Sequence, residues 1–106
     1  MSALIYCPFP DRDTAEKVGE RLIDEGLIAC INIGAAIHSL YVWQGKRGSG
    51  EEIPALLKTD ANLLGPAIDR LEHLHPYDTP AIMGWPCRAS AGTRAWLEGL
   101  DEGDKG

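Results

Sequence analysis

The residues best suited to chemistry lie between two prolines, in the segment His75-Pro76-Tyr77-Asp78-Thr79-Pro80. A helix that reaches this point has to end before Pro76, because proline lacks an N–H and clashes with the preceding turn. An imidazole, a phenol and a carboxylate are thereby held close together on a stiff turn. Such a segment either fixes the architecture or builds a site, and the residue types alone leave both interpretations open.

A second group of residues adds metal-ligand chemistry. Cys7 ends an apolar run, and His73 and His75 end the helical pattern before the prolines. Thiolate and imidazole are ligands for soft or borderline ions such as copper and zinc. Two ligands are too few for a closed structural zinc site, so Cys7 and His75 could form a weak, exchangeable ion site, with His73 as an outer partner, or a site completed by carboxylates or a second subunit. The alternative is a histidine that only caps the helix, where the helix dipole favours its charge.

The aromatic residues allow two interpretations as well. Tyr41, Trp43, Tyr77, Trp85 and Trp96 could line a ligand pocket. Residues of these types more often fill a core or a protein interface, where they contribute large buried areas. The interface interpretation is therefore favoured.

No catalytic signature accompanies these residues. The chain lacks a Gly-x-Ser-x-Gly elbow, a P-loop, a Gly-x-Gly-x-x-Gly motif after a strand and a His-Glu-x-x-His motif. The sequence therefore favours a protein that is not an enzyme.

Length and charge narrow the class of protein. A chain of 106 residues is expected to form one domain over 1–106. The net charge of −6 and the absence of a basic run argue against a nucleic-acid partner. No apolar stretch reaches the length of a membrane span, and no signal peptide is recognisable, so no membrane partner is expected. The three cysteines fit no C-x-x-C pattern and are expected to be reduced in a cytoplasmic protein.

The elements that must position these residues follow from hydrophobic periodicity. A capped helix is expected from Asp11 or Asp13 up to Gly26, and a second helix over 60–75. A short helix is expected over 93–97, and residues 100–106 are expected to be frayed. Strands are predicted over 3–6, 27–43 with a bend near Gly34, 53–59 and 81–85, with a polar loop at 44–50 and an edge or bulge at Pro54.

This β-α-β-β-α-β order, followed by a short C-terminal helix, predicts an α+β fold of the ferredoxin-like type. Such a fold is an antiparallel sheet with two helices on one face. Between Ile37 and Trp43, both alternating sets of side chains include large apolar groups. Both faces of that strand should therefore be covered, and another subunit is the simplest cover for the second face. The sequence thus predicts a homo-oligomer.

Four motifs in fixed order resemble the CutA family of divalent-cation tolerance proteins. They are Ala29-Cys30-Ile31-Asn32-Ile33, Ser39-Leu40-Tyr41-Val42-Trp43-Gln44-Gly45-Lys46, Leu57-Lys58-Thr59 and the segment from His75 to Pro80. The resemblance covers residues 5–97. It implies a ferredoxin-like fold, a tight homotrimer like that of PII signalling proteins, and a link to tolerance of copper and other divalent metals.

The family's site residues map onto this chain only in part. The cysteine that closes the first strand falls on Cys7, and the histidine of the His-Pro-Tyr motif falls on His75. The further histidine of some members is replaced by Leu74, for which His73 substitutes in part. Asp78 stands where many members have Glu and is a candidate outer partner of the metal site.

Two functions follow as hypotheses. The first is a cytoplasmic, non-enzymatic homotrimer for divalent-cation tolerance that binds copper or another divalent cation weakly at Cys7 and His75. The second is a PII-like signalling or scaffold trimer whose inter-subunit clefts bind a small molecule or a partner protein. In the second case Trp43, Lys46, Lys58 and Tyr77 matter most, with Tyr41 as a further interface residue.

Overall fold

A five-stranded sheet and three α-helices make up the described part of the chain, residues 1–102 of a computed structural model. In chain order the elements are β1 (Ser2–Phe9), α1 (Arg12–Asp24), β2 (Cys30–Ile33), β3 (Ile37–Trp43), β4 (Lys46–Asp60), a 3-10 helix (Ala61–Leu63), α2 (Leu64–Leu74), β5 (Met83–Cys87) and α3 (Ala91–Asp101). The predicted α+β class and the antiparallel sheet with helices are confirmed.

Strand β4 is the centre of the sheet. The strand order is β2-β4-β1-β5, and β3 pairs with β4 beyond the end of β2. On one side β4 is antiparallel to the whole of β1, from Ser2 opposite Asp60 to Phe9 opposite Ile53. On the other side it pairs first with β3 and then with β2. One long strand therefore holds the register of three others.

The core lies between one face of the sheet and the helices α1 and α2. Asp11 caps α1 by accepting a hydrogen bond of 2.8 Å from the backbone N–H of Thr14. The apolar face of each helix then packs on alternate residues of the strands. The buried members of this cluster are Ile5, Cys7, Phe9, Ala15, Val18, Leu22, Ile28, Ala55, Leu57, Ala67 and Leu71.

The second face of the sheet is covered only in part. Leu97 of α3 is 2% exposed and lines a cavity together with Leu4 and Lys58 of this face. Farther along the same face, Met83 and Trp85 stay 61% and 42% exposed. The partial cover agrees with a sheet whose second face is completed by something outside this chain.

The predicted loop over 44–50 is wrong, because most of it is strand. Only Gln44 and Gly45 form the turn between β3 and β4, and both have positive φ angles of 51° and 77°. A two-residue turn of this kind matches the twist of the flanking strands and fixes their register. Gly48 belongs to β4, where a Cβ atom would lie 2.5 Å from the ring of Tyr41. The glycine there makes room for a cross-strand aromatic ring.

The expected long strand over 27–43 is divided into β2 and β3 around the predicted bend at Gly34. Pro54 was predicted to mark an edge or a bulge; it lies in the central strand, opposite this break. Gly34 donates its N–H to the Pro54 carbonyl at 2.9 Å, and in an antiparallel strand the N–H of a residue faces the same side as its carbonyl. The missing N–H of Pro54 therefore faces the break, where no partner strand needs it.

The second helix and the C-terminal segment differ from the predicted bounds. A 3-10 turn (Ala61–Leu63) precedes α2, which places Pro66 in the first turn of α2, where its missing N–H costs nothing. Helix α3 begins after Ser90 and continues through Leu100 and Asp101, which were expected to be frayed. Residues 103–106 of the predicted tail lie outside the described residues.

The close contact of α2 with β5 at Gly84 gives the first prediction. A Cβ atom at Gly84 would lie 2.8 Å from Cδ1 of Leu64 and 3.2 Å from the backbone oxygen of Leu4. We expect Gly84→Ala to lower the free energy of unfolding by about 1–3 kcal/mol, as overpacking typically does. Denaturant unfolding followed by circular dichroism measures this.

The matched control is Gly50→Ala in β4, where a Cβ atom would meet nothing within 4 Å. We expect this variant to stay within about 0.5 kcal/mol of the wild type. Equal stability of the two variants would show that α2 does not pack on Gly84 as described.

Candidate functional site

Both ring nitrogens of His75 are hydrogen-bonded. His75 is the C-cap residue of α2, and its side chain is directed at the end of β1. Nδ1 accepts a hydrogen bond of 3.1 Å from the backbone N–H of Tyr77. Since an accepting nitrogen carries no proton, Nε2 is the protonated nitrogen, and it donates to the carbonyl of Pro8 at 2.9 Å. The two bonds assign one neutral tautomer.

The surroundings of His75 favour the same neutral form. Its ring stacks on Phe9 with centroids 4.8 Å apart and planes inclined by 19°, and it is tilted against the ring of Tyr77 at 4.7 Å. The side chain is 6% exposed. Burial lowers the pKa of His75, an effect larger than the opposing ones of the Pro8 carbonyl and the Glu52 charge.

Cys7 lies at the same place as His75. Its Sγ is 3.5 Å from the Pro8 carbonyl oxygen, the same atom to which His75 donates. The structure thus brings the two predicted ligands to one carbonyl at the end of β1. Burial, with a smaller effect from the negative charge of Glu52, raises the pKa of the Cys7 thiol to about 12. Cys7 is a protonated thiol at neutral pH.

Tyr77 joins the His75 turn to β4 through a residue that the sequence analysis missed. Its hydroxyl donates to the Glu52 carboxylate at 3.1 Å. Burial, followed by this hydrogen bond and the Glu52 charge, raises the pKa of Tyr77 to about 12. Glu52 was overlooked because it was placed between a loop and a strand. No local pattern marks Glu52, because its partner Tyr77 lies 25 residues away along the chain.

The other predicted site residues lie elsewhere. His73 and Asp78 are exposed, and within residues 1–102 neither has a hydrogen bond or ion pair that joins it to Cys7 or His75. Tyr41 and Trp43 project from the β3–β4 hairpin and are 54% and 52% exposed. Lys58 lies on the second face of the sheet, opposite Leu4 of β1.

As arranged, Cys7 and His75 do not form a ready metal site. The thiol is protonated, and the free lone pair of the imidazole is taken by the Tyr77 N–H. A metal ligand must offer a deprotonated thiol or a free imidazole nitrogen. In the part of the chain that the structure describes, no group of three or more His, Cys, Asp and Glu side chains is placed to hold an ion. The geometry is that of an architectural contact.

An α+β chain with an antiparallel sheet, a long hairpin and this His-Pro-Tyr turn matches one known class of protein. The family model of the CutA1 divalent ion tolerance protein matches residues 3–99. The chain belongs to this family.

Relatives and solved structures agree. The divalent-cation tolerance protein CutA of Pyrococcus horikoshii is 42% identical over 80 residues, which cover 76% of this chain and 78% of the relative. The crystal structure of CutA1 from Ehrlichia chaffeensis superposes with a TM-score of 0.85 at 33% identity, covering 93% of this chain and 94% of that one. The periplasmic CutA of Archaeoglobus fulgidus superposes with a TM-score of 0.87 at 30% identity, covering 94% and 98%.

The Archaeoglobus fulgidus protein is described as periplasmic. None of the helices within residues 1–102 has both the length and the hydropathy that a bilayer span requires.

The buried neutral His75 predicts a pH dependence of stability. Its pKa in the fold is below the ordinary value of 6.5, so the unfolded chain binds a proton that the folded chain does not. Stability from this group is present above pH 6.5 and is lost as the pH falls from 6.5 toward the folded pKa, by up to about 1.4 kcal/mol per pH unit. Urea unfolding between pH 5 and pH 8 measures this loss.

His75→Gln is expected to have a lower free energy of unfolding than the wild type at pH 8. It should also lack the decrease in that free energy between pH 6.5 and pH 5. His73→Gln, which removes an exposed histidine two residues away, should keep it. Parallel pH profiles of the wild type and His75→Gln would contradict a neutral, buried imidazole.

Proposed function

We propose that this protein acts in divalent-cation tolerance as a cytoplasmic, non-enzymatic homotrimer that binds copper or another divalent cation weakly. Family membership and the meeting of Cys7 and His75 at the Pro8 carbonyl support the proposal. Thiol and imidazole are the ligand pair that suits copper among common ions.

Weak binding follows from the state of the two groups. An ion that reached them would have to displace the Tyr77 N–H from Nδ1 of His75 and remove the proton of Cys7. Each change opposes binding, so affinity should rise with pH. Weak binding at Cys7 and His75 would keep the ion exchangeable rather than permanently bound.

The trimer is part of the proposal, and it rests on the hairpin. Leu40 and Val42 of β3 are 71% and 67% exposed in the single chain, and Tyr41 and Trp43 on the other face are more than half exposed. Among the described residues strand β3 pairs with β4 alone, which leaves its other edge unpaired. An apolar edge strand of this kind is normally covered by a neighbour. We infer that two further subunits supply the cover, and that the sheet order is the ferredoxin-like one, with β2 and β3 as one interrupted strand.

The oligomer can be tested by a charge placed on the hairpin. Analytical ultracentrifugation of the wild type should give the mass of three chains. Val42→Glu should shift the distribution toward monomer, because a buried unpaired carboxylate opposes association. Ile23→Glu places the same charge at a 42% exposed position on α1 and should remain trimeric. A monomeric wild type would contradict the proposal.

A second candidate function is favoured by the closed state of the His75 turn. If Cys7 and His75 are architectural, the Tyr77–Glu52 bond serves to position the turn against β4, beside the exposed hairpin residues. The protein would then be a PII-like scaffold whose inter-subunit clefts bind a small molecule or a partner protein. Trp43, Lys46, Lys58 and Tyr77 would be the residues in contact.

A copper titration separates the two functions. Reduced, chelator-stripped protein should bind close to one ion per subunit in a saturable manner, more tightly at pH 8 than at pH 6. Cys7→Ser and His75→Ala should each lose this binding, whereas Cys30→Ser should retain it, since Cys30 lies in β2 away from the Pro8 carbonyl. Isothermal titration calorimetry measures all four proteins.

Absent binding, or binding unchanged in both site variants, would contradict the metal proposal and favour the scaffold function. In that case the thermal stability of the protein should respond to a small-molecule ligand and be indifferent to chelator.

A further inference from the structure

A cavity lined by both polar and apolar groups lies at the opposite end of β1 from His75. It has a volume of about 320 Å³, which is within the range of small-molecule sites, and it is lined in part by Ser2, Arg88, Arg94 and Glu98. An adjoining cavity of about 220 Å³ shares Ser2 and Arg88 and reaches Ser90, the N-cap residue of α3. The family motifs include none of these residues.

Ser2 carries a buried polar atom without a partner. The residue is 3% exposed, and among the described residues its Oγ is the buried side-chain oxygen or nitrogen that lacks a hydrogen bond. Its backbone is fixed in the sheet, opposite Asp60 on one side and Cys87 on the other. A buried hydroxyl without a partner costs free energy. Ser2 lines the cavity, and a rotation of its side chain would let a ligand there provide the missing partner.

The two arginines that line the cavity also lack ion-pair partners among the described residues. Within residues 1–102 neither Arg88 nor Arg94 forms an ion pair. Glu98, one helical turn from Arg94, lies instead 3.8 Å from the nitrogen of Met1. Arg94 lies near the N-terminus of α3, where a cation is disfavoured by the helix dipole and where the first turn has no acidic residue to offset it.

We propose that this cavity binds a small oxyanion, either a carboxylate or a phosphate monoester. Arg88 and Arg94, both exposed at the rim, supply the positive charge, and Ser2 donates its hydroxyl proton once its side chain rotates toward the ligand. Glu98 at the wall disfavours ligands with several negative charges, so a compact ligand fits better than a polyphosphate. The net charge of −6 opposes non-specific attraction of anions, which makes a local pair of free arginines distinctive.

The test is a calorimetric titration of the full chain with inorganic phosphate and, separately, with acetate, at constant ionic strength. We expect saturable binding of at least one of them, with one site per subunit. Arg88→Gln and Arg94→Gln should each weaken it at least tenfold, as loss of a charge-assisted bond does, and Ser2→Ala should weaken it severalfold. Phosphate binding alone indicates a phosphate monoester, and acetate binding alone indicates a carboxylate.

The matched control is Lys17→Gln, which removes the same charge from the solvent face of α1, where Lys17 pairs with Asp13. It should bind like the wild type. No saturable binding of either anion, or equal binding by wild type and both arginine variants, would overturn the proposal. Circular dichroism and sedimentation of each variant show that the comparison is between folded proteins, and the copper titration is independent of the outcome.

Discussion

The length of β4 is the constraint on which the rest of the structure depends. A fifteen-residue strand is long enough to pair with β1 along one side and with both β2 and β3 along the other. The turn before β4 has only two residues, Gln44 and Gly45. A longer loop at this point would shorten the strand at its start. The hairpin then extends beyond the helix-covered sheet, and its apolar residues are exposed in the single chain. The core, the site and the proposed assembly therefore share one strand.

Two prolines that lie opposite one another show how the sheet is bonded where β4 and β1 lack a complete partner strand. Pro8 and Pro54 face each other across the β1–β4 pair. Each presents its carbonyl on the side away from the other, where the sheet has no complete partner strand. The Pro54 carbonyl accepts from Gly34 at the break between β2 and β3, and the Pro8 carbonyl accepts from His75 beyond the end of β5. The His75 bond therefore replaces a missing sheet hydrogen bond.

The architectural use of His75 limits its chemistry. An imidazole that substitutes for a strand has to keep one tautomer and remain neutral, and both requirements compete with metal binding. The thiol of Cys7 also opposes metal binding, because burial raises its pKa to about 12. Metal binding at this pair and full integrity of the β1 end are thus alternatives, which is the physical reason for expecting weak affinity in any member with this arrangement.

Sequence reasoning was reliable where one local rule decided the outcome. The helix α1 follows from its cap at Asp11 and its apolar stripe, and the end of α2 follows from Pro76. It was unreliable where distant contacts decided it. The glycines of 44–50 predict a loop, because the role of Gly48 against Tyr41 is a cross-strand contact that the local sequence does not show. Pro54 predicts an edge or a bulge, because the break opposite it lies about 20 residues away along the chain. The pairing of Cys7 with His75 was part of the predicted ion site, whereas the protonation state of both groups depends on the burial and hydrogen bonds of the fold.

The two ends of β1 carry opposite kinds of chemistry. The Pro8 end holds neutral groups, Cys7 and His75, whose only route to a ligand is the loss of protons or hydrogen bonds. The Ser2 end holds charged groups that already lack partners among the described residues. The six residue steps from Ser2 to Pro8 span about 20 Å at the usual rise of a strand, and Ala3 and Ile5 between them are buried in the core. A ligand at the Ser2 end can therefore bind without disturbing the hydrogen bonds of His75 to Pro8 and Tyr77. Only the Pro8 end has to rearrange to bind an ion.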